Sequence, residues 1–229
     1  GFSNPKGVFI TEDEMVGDTV VANGRIFVCD TDNSRIITFD RKTGDFLSVI
    51  PRPESQLFET NSIYKPIALA VDRYNRMYVV SSTTTEGVIV MTDEGELTGF
   101  IGAQKVVTSV WQRIWRRFQT KEQREKTEEN VSTSFNNIAL SGEFIYATIN
   151  SDKYSNQITN LIRTKGKSGD YSPVKLLNAA GDEIMRRNGF YSPVGEIDIS
   201  KTKASDTISG ISTIVDVAVG PEETWSIID

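Results

Sequence analysis

The chain contains no histidine. That absence removes Ser-His-Asp and Cys-His catalysis, His-ligated zinc and histidine-based pH switching. There is one cysteine, Cys29, so no internal disulfide can form and cysteine usage does not fix the redox compartment. Its place inside an apolar run reads as a small buried side chain. No run of about twenty apolar residues occurs, so no segment reads as a membrane-spanning helix. An excess of positive charge is also missing: 25 Lys and Arg stand against 31 Asp and Glu, a formal net charge of −6. Phosphate binding needs a positive field, so a nucleic acid is not an expected partner. The opening residues Gly1-Phe2-Ser3-Asn4-Pro5 lack the basic start and apolar core of a secretory leader, and no signal peptide is expected there.

What the 229 residues do offer is enough length for a sizeable core and an ordinary soluble composition. The most informative stretch runs from Asn23 to Asp40. An Asn-Gly turn signal opens a β-branched and aromatic run, Arg25 to Cys29, and a second run follows from Ile36 to Phe39. Between them lies a polar link with Asp30 and Arg35 at its ends. The spacing predicts two antiparallel strands whose turn is bracketed by a carboxylate and a guanidinium. Asp30-Thr31-Asp32-Asn33-Ser34 also alternates like a calcium loop. However, Arg35 stands where that pattern needs Gly and no distal Glu follows, so calcium is at most a marginal cofactor and a salt-linked turn accounts better for the residues.

This segment resembles the NHL repeat, whose signature runs roughly Tyr-Val-Ala-Asp-Thr-Gly-Asn-Asn-Arg-Ile. Asp32 replaces the usual Gly and Ser34 the usual Asn. The resemblance implies a blade of a β-propeller. The same order of runs then recurs. Gly44 precedes an outer strand, Phe46 to Ile50, and a Pro-rich link, Pro51 to Pro53, separates the units. A second unit takes in Lys65 to Asp72, Arg76 to Val80, Gly87 to Asp93 and Leu97 to Ile101, with Ser82 to Thr85 in place of the salt-linked turn. A third has Asn137 to Ser141, Glu143 to Thr148 and Val174 to Asn178. A fourth begins at Val215 to Gly220 and continues from Trp225 to Asp229. Upstream, Asn4 to Ile10 matches the opening of the same unit. The expected fold is all-β: one partial propeller over 1–229 with about three and a half four-stranded blades, part of a six-bladed ring. An isolated arc exposes sheet edges, so more chain or a partner is expected to complete it.

Two insertions interrupt the repeats. In 104–131, Val107, Val110, Trp111, Ile114, Trp115 and Phe118 fall on one helical face, with Lys105, Arg113, Arg116 and Arg117 around it. Thr120 and Gln123 fit a capping box that starts a second, charged helix. The Trp-rich helix fits three roles: a brace on the propeller, a dock for a partner, or an element lying on an anionic membrane. The insertion 151–173 is polar. Its Lys165-Gly166-Lys167-Ser168 lacks the upstream Gly and the strand-loop-helix context of a phosphate loop and reads as a hairpin tip. Arg186-Arg187-Asn188-Gly189-Phe190 fits either a surface for an acidic or glycan ligand or an inter-blade crossing. The candidate partner-binding residues are therefore Trp111, Arg113, Trp115, Arg116, Arg117, Arg186 and Arg187.

Catalysis has a narrower basis. Lactonase-type propellers hold a divalent metal with carboxylates and an Asn near the axis, and Asp72, Asn136, Asn137 and Asp216 lie at or near strand ends. Asp after a strand is also a common turn former. Amidating lyases of NHL-like fold are expected to use His-ligated zinc, which this chain cannot supply. Three patches, Thr120 to Glu125, Phe144 to Thr148 and Leu177 to Asp182, resemble bacterial propeller modules that precede a Yip-type membrane domain. That resemblance implies an extracytoplasmic or membrane-associated scaffold at the cell envelope, anchored by regions outside this chain. The reading is a non-catalytic scaffold for a protein or glycan partner, with no catalytic residues, no resident metal and no required cofactor. A metal-dependent lactonase-type hydrolase is the alternative.

Overall fold

The computed structural model describes residues 1–54, 63–84, 86–102, 135–149, 174–185, 215–220, 222 and 224–228. Among these the regular structure is all-β, with a 3-10 turn at Thr31–Asn33 and no α-helix. The expected helical insertion 104–131 and polar insertion 151–173 lie outside the described residues.

The first sheet uses β1 (Pro5–Ile10), β4 (Arg25–Asp30), β5 (Arg35–Asp40) and β6 (Phe46–Ile50) in the order β1-β4-β5-β6. A separate hairpin, β2 (Glu14–Val16) and β3 (Thr19–Ala22), sits between β1 and β4. No strands are expected there from the sequence. The second sheet runs through β7 (Pro66–Val71), β8 (Met77–Ser81), β9 (Val88–Met91) and β10 (Leu97–Ile101) in chain order. The third holds β11 (Phe135–Ser141), β12 (Phe144–Ile149) and β13 (Val174–Leu177), and the fourth β14 (Asp216–Val219) and β15 (Trp225–Ile228). Every pairing is antiparallel.

Period-two alternation sends the second sheet's side chains to two different neighbours. Along β8, Met77 and Val79 join Phe27, Cys29, Ile36, Ile50 and Tyr64 in the core between the first and second sheets. Tyr78 and Val80, one step along, join Phe135, Ile138, Ile145 and Leu177 between the second and third. This explains why β8 and β9 are continuous apolar runs, buried at every position: both faces are covered. Each fully buried Val, Ile or Met contributes on the order of 2 kcal/mol. Among the described residues no sheet packs on the outer face of the first sheet, and Val8, Ile10, Phe46 and Val49 are exposed.

The register repeats from sheet to sheet. Val8↔Val28, Leu69↔Val79 and Ile138↔Ala147 are corresponding pairs, as are Phe9↔Phe27, Ala70↔Tyr78 and Ala139↔Tyr146. A register shift falls just before each of the first three, between Pro5 and Val8, Pro66 and Ala68, and Phe135 and Asn137. Carried to Val217↔Ile227, this correspondence puts Gly7, Ala68, Asn137 and Asp216 at one position of four successive sheets. The opening strands also pack side by side, β1 on β7, β7 on β11 and β11 on β14. Gly7 permits the first of these contacts. A Cβ there would lie 2.7 Å from the Ile67 carbonyl oxygen and 2.8 Å from the Ala68 Cα, closer than backbone atoms tolerate.

Candidate functional site

The four opening strands enclose a cleft of about 390 Å³. Val8, Phe9, Ile67 and Leu69 line it together with Lys6, Asn137 and Asp216, and the surface exposed to it is mostly polar, the Leu69 side chain itself packing into the core between the first and second sheets. At the shared register position the first two sheets contribute only Gly7 and Ala68, which leaves room. The third and fourth place an amide and a carboxylate there. Asn137 Nδ2 donates to Asp216 Oδ1 at 2.7 Å. Each side chain is also fixed by its own backbone: the Ile138 N–H donates to Asn137 Oδ1 at 2.7 Å and the Val217 N–H to Asp216 Oδ1 at 2.6 Å. Asx side chains make such local bonds readily, and the bond to the following N–H holds the head group in place.

At the rim, the turn between β4 and β5 is bound tightly. Asp30 is fully buried and accepts from the Ser3 N–H at 2.7 Å, Asn33 Nδ2 at 2.8 Å and Arg35 Nε at 2.7 Å. Burial pushes its carboxyl up, but these donors and the Arg35 charge outweigh that and hold it below the usual carboxylate range. Thr31 Oγ1 donates to the Pro66 carbonyl at 2.7 Å and ties this turn to the second sheet. Lys65 Nζ reaches Asp32 Oδ1 at 2.8 Å. That bond, supported by Asn4 and the charge of Lys6, lowers the Asp32 carboxyl against a smaller upward pull from burial. The two carboxylates of the calcium-like alternation are thus engaged by Arg35 and Lys65.

A second, smaller cavity of about 180 Å³ lies at the far end of β7, between Asp72, Arg73, Arg76, Tyr78 and Glu143. Its charges satisfy one another: Arg76 Nε to Asp72 Oδ2 at 2.7 Å, Tyr78 OH to the same oxygen at 3.1 Å, and Arg73 to Glu143 at 2.5 Å. Burial, and then the Asp72 charge, push the Tyr78 hydroxyl up to about 12.

The residues that the hydrolase alternative needs around a metal are therefore divided. Asn137 and Asp216 meet in the cleft, Asn136 accepts a hydrogen bond from Thr148, and Asp72 is paired with Arg76 at the other end. Among the described residues no group of three or more His, Cys, Asp or Glu side chains is placed to hold a metal ion. Trp111, Arg113, Trp115, Arg116, Arg117, Arg186 and Arg187 lie outside the described residues. Sequence reasoning passed over Lys6 as a cleft residue and the Asp72–Arg76–Tyr78 set. The second had a signal in the Asp-x-x-x-Arg spacing across a turn, whereas Lys6 becomes visible only through strand register. Among the described residues no helix is long and apolar enough to cross a membrane. In comparison with known proteins, no family model matches this sequence and no curated protein matches it.

Proposed function

We propose that the chain is a run of NHL-like propeller blades acting as a non-catalytic binding scaffold for a protein or glycan partner. In this reading the sheets are blades of a six-bladed ring, the cleft between opening strands is its binding end, and the setting is the bacterial cell envelope. The observation that carries it is the repeated register. Four opening strands bring the same position to one cleft, and two of them arm it with Asn137 and Asp216. The Asp30–Arg35 bond at 2.7 Å also supports the NHL likeness, because those two residues bracket the turn in the repeat signature. The envelope setting follows from the resemblance of three sequence patches alone.

The test is an array of envelope glycans and of peptides probed with the chain and with Asn137→Ala and Asp216→Ala. A ligand held by the parent and lost by both variants is the expected result. One that binds all three equally places the site elsewhere and ends this reading. The hydrolase alternative draws on the same pair, which supplies one carboxylate and one amide. Calcium-dependent lactone turnover that Asp216→Ala abolishes would favour it over the scaffold.

A further inference from the structure

The Asn23-Gly24 pair that precedes β4 has a chemistry of its own. In a flexible chain the backbone nitrogen after an Asn attacks the Asn side-chain carbonyl carbon. A Gly in second place makes this fastest, because no Cβ hinders the approach. A C–N bond forms to close a succinimide, the side-chain nitrogen leaves as ammonia, and water then opens the ring to aspartate or isoaspartate. The reaction needs a free Gly N–H and an Asn side chain able to swing onto it.

Neither freedom is present here. The Gly24 N–H donates to Asp13 Oδ1 at 2.7 Å, and Asn23 Nδ2 donates to Asp40 Oδ2 at 2.9 Å. Both acceptors are held in turn. Asp13 Oδ1 pairs with Arg41 at 3.0 Å and its Oδ2 with Lys42 at 3.4 Å, while Asp40 Oδ1 accepts the N–H groups of Lys42 and Thr43. The Arg41 N–H donates to the Gly24 carbonyl at 2.9 Å and closes the clasp. Asn23 is exposed, so water reaches it, whereas Gly24 is buried. Space requires the glycine, since a Cβ there would collide with the Thr11 carbonyl oxygen. The reactive pair is thus fixed on its Gly side, and protection falls to the carboxylates around it.

We propose that Asn23-Gly24 is a latent deamidation site, closed while Asp13 and Asp40 clasp it, and that its product opens the base of the β2–β3 hairpin. Reaction waits on a local opening that frees the Gly24 N–H. Conversion then puts a new carboxylate beside that of Asp40, so a hydrogen bond becomes a like-charge contact. Isoaspartate also adds a backbone carbon just ahead of β4, which displaces Gly24 from Asp13. The opened base cannot close again, and the change runs one way.

The experiment follows aspartate and isoaspartate at position 23 by peptide-mapping mass spectrometry during incubation at mildly alkaline pH. The folded chain, Asp13→Ala, Glu12→Ala and the blocked peptide Val-Ala-Asn-Gly-Arg-Ile of residues 21–26 are compared. The folded chain should react about tenfold or more slowly than the peptide, and Asp13→Ala should recover most of that difference. Glu12→Ala removes another Arg41 partner but touches neither reacting group, so it should keep the parent rate. Asn23→Asp, which mimics the product charge, should lower Tm by roughly 2–4 °C. Should Asp13→Ala not fold, hydrogen exchange at the Gly24 amide of the parent decides. Slowing of about tenfold or more relative to the peptide supports the clasp, and exchange at the peptide rate overturns it. A parent that deamidates as fast as the peptide, a folded Asp13→Ala no faster than the parent or no faster than Glu12→Ala, or an Asn23→Asp chain as stable as the parent would also overturn the proposal.

Discussion

Replacing Asp30 tests whether the turn between β4 and β5 is held by its buried carboxylate. The side chain is wholly enclosed and accepts three N–H donors, one of them the Arg35 guanidinium, itself 30% exposed. Hydrogen bonds to charged groups are worth about 1.5–3 kcal/mol each, but they share one acceptor group, and water recovers part of the loss at Arg35 and Asn33. Asp30→Ala should therefore cost about 3 kcal/mol. In a chain of this size each kcal/mol moves Tm by roughly 2–4 °C, so a drop of about 6–12 °C is expected by circular dichroism. Asp30→Asn should cost about half as much. Because the folded carboxyl titrates below its unfolded value, the unfolded chain binds more protons between the two. The stabilisation is thus complete above the ordinary carboxylate range, near 4, and drains away as pH falls below it. The Tm gap between the parent and Asp30→Asn should accordingly narrow from pH 7 to pH 3. A gap that stays constant across that range, or a fall under about 2 °C at pH 7, would refute the reasoning.

Other outcomes follow from single positions. Gly7→Ala forces β1 away from β7 and should cost about 1–3 kcal/mol in urea unfolding; a neutral result would show that the two strands do not lie so close. Ser34 has φ 55° and ψ 43°, a left-handed conformation that Asn tolerates better than Ser. Ser34→Asn should raise Tm by roughly 1–3 °C, and a decrease would contradict the turn geometry. Cys29 is buried, and desolvation pushes its thiol up to about 12, so it should resist a thiol reagent at pH 8 until the chain is denatured. Prompt labelling of the native protein would place β4 at the surface.

Much of the strand framework could be read from the sequence, because β-branched and aromatic runs are separated by Gly, Asn and Asp turn signals and the central strands β8 and β9, buried throughout, are almost wholly apolar. Phe46–Ile50 and Leu97–Ile101 fall at the expected bounds, and most other strands differ by a residue or two. The β2–β3 hairpin was harder to see because its seven residues are all exposed, so no buried face imposes alternation. Its one signal was Gly17-Asp18 between Met15-Val16 and Thr19-Val20-Val21. The site was less legible than the fold. Asn137 and Asp216 are 79 positions apart, and although Asn137-Ile138-Ala139-Leu140 and Asp216-Val217-Ala218-Val219 share a pattern, that pattern does not say that the two side chains meet. Their meeting depends on the register shift at the head of β11 and on β14 packing beside that strand, and propensity does not encode that. Asp72 looked equivalent in sequence, yet it closes its strand rather than opening it, and so lands at the opposite end.

The shared register also governs how the molecule comes apart. Each sheet makes its main contacts with those beside it, so opening can travel inward from the margins as a row of modules fails, without a simultaneous collapse. Amide protons of β8 and β9, clasped from two sides, should be the last to exchange with deuterated solvent. Those of β2 and β3 should be among the first, and damage at one margin should leave protection at the centre largely intact.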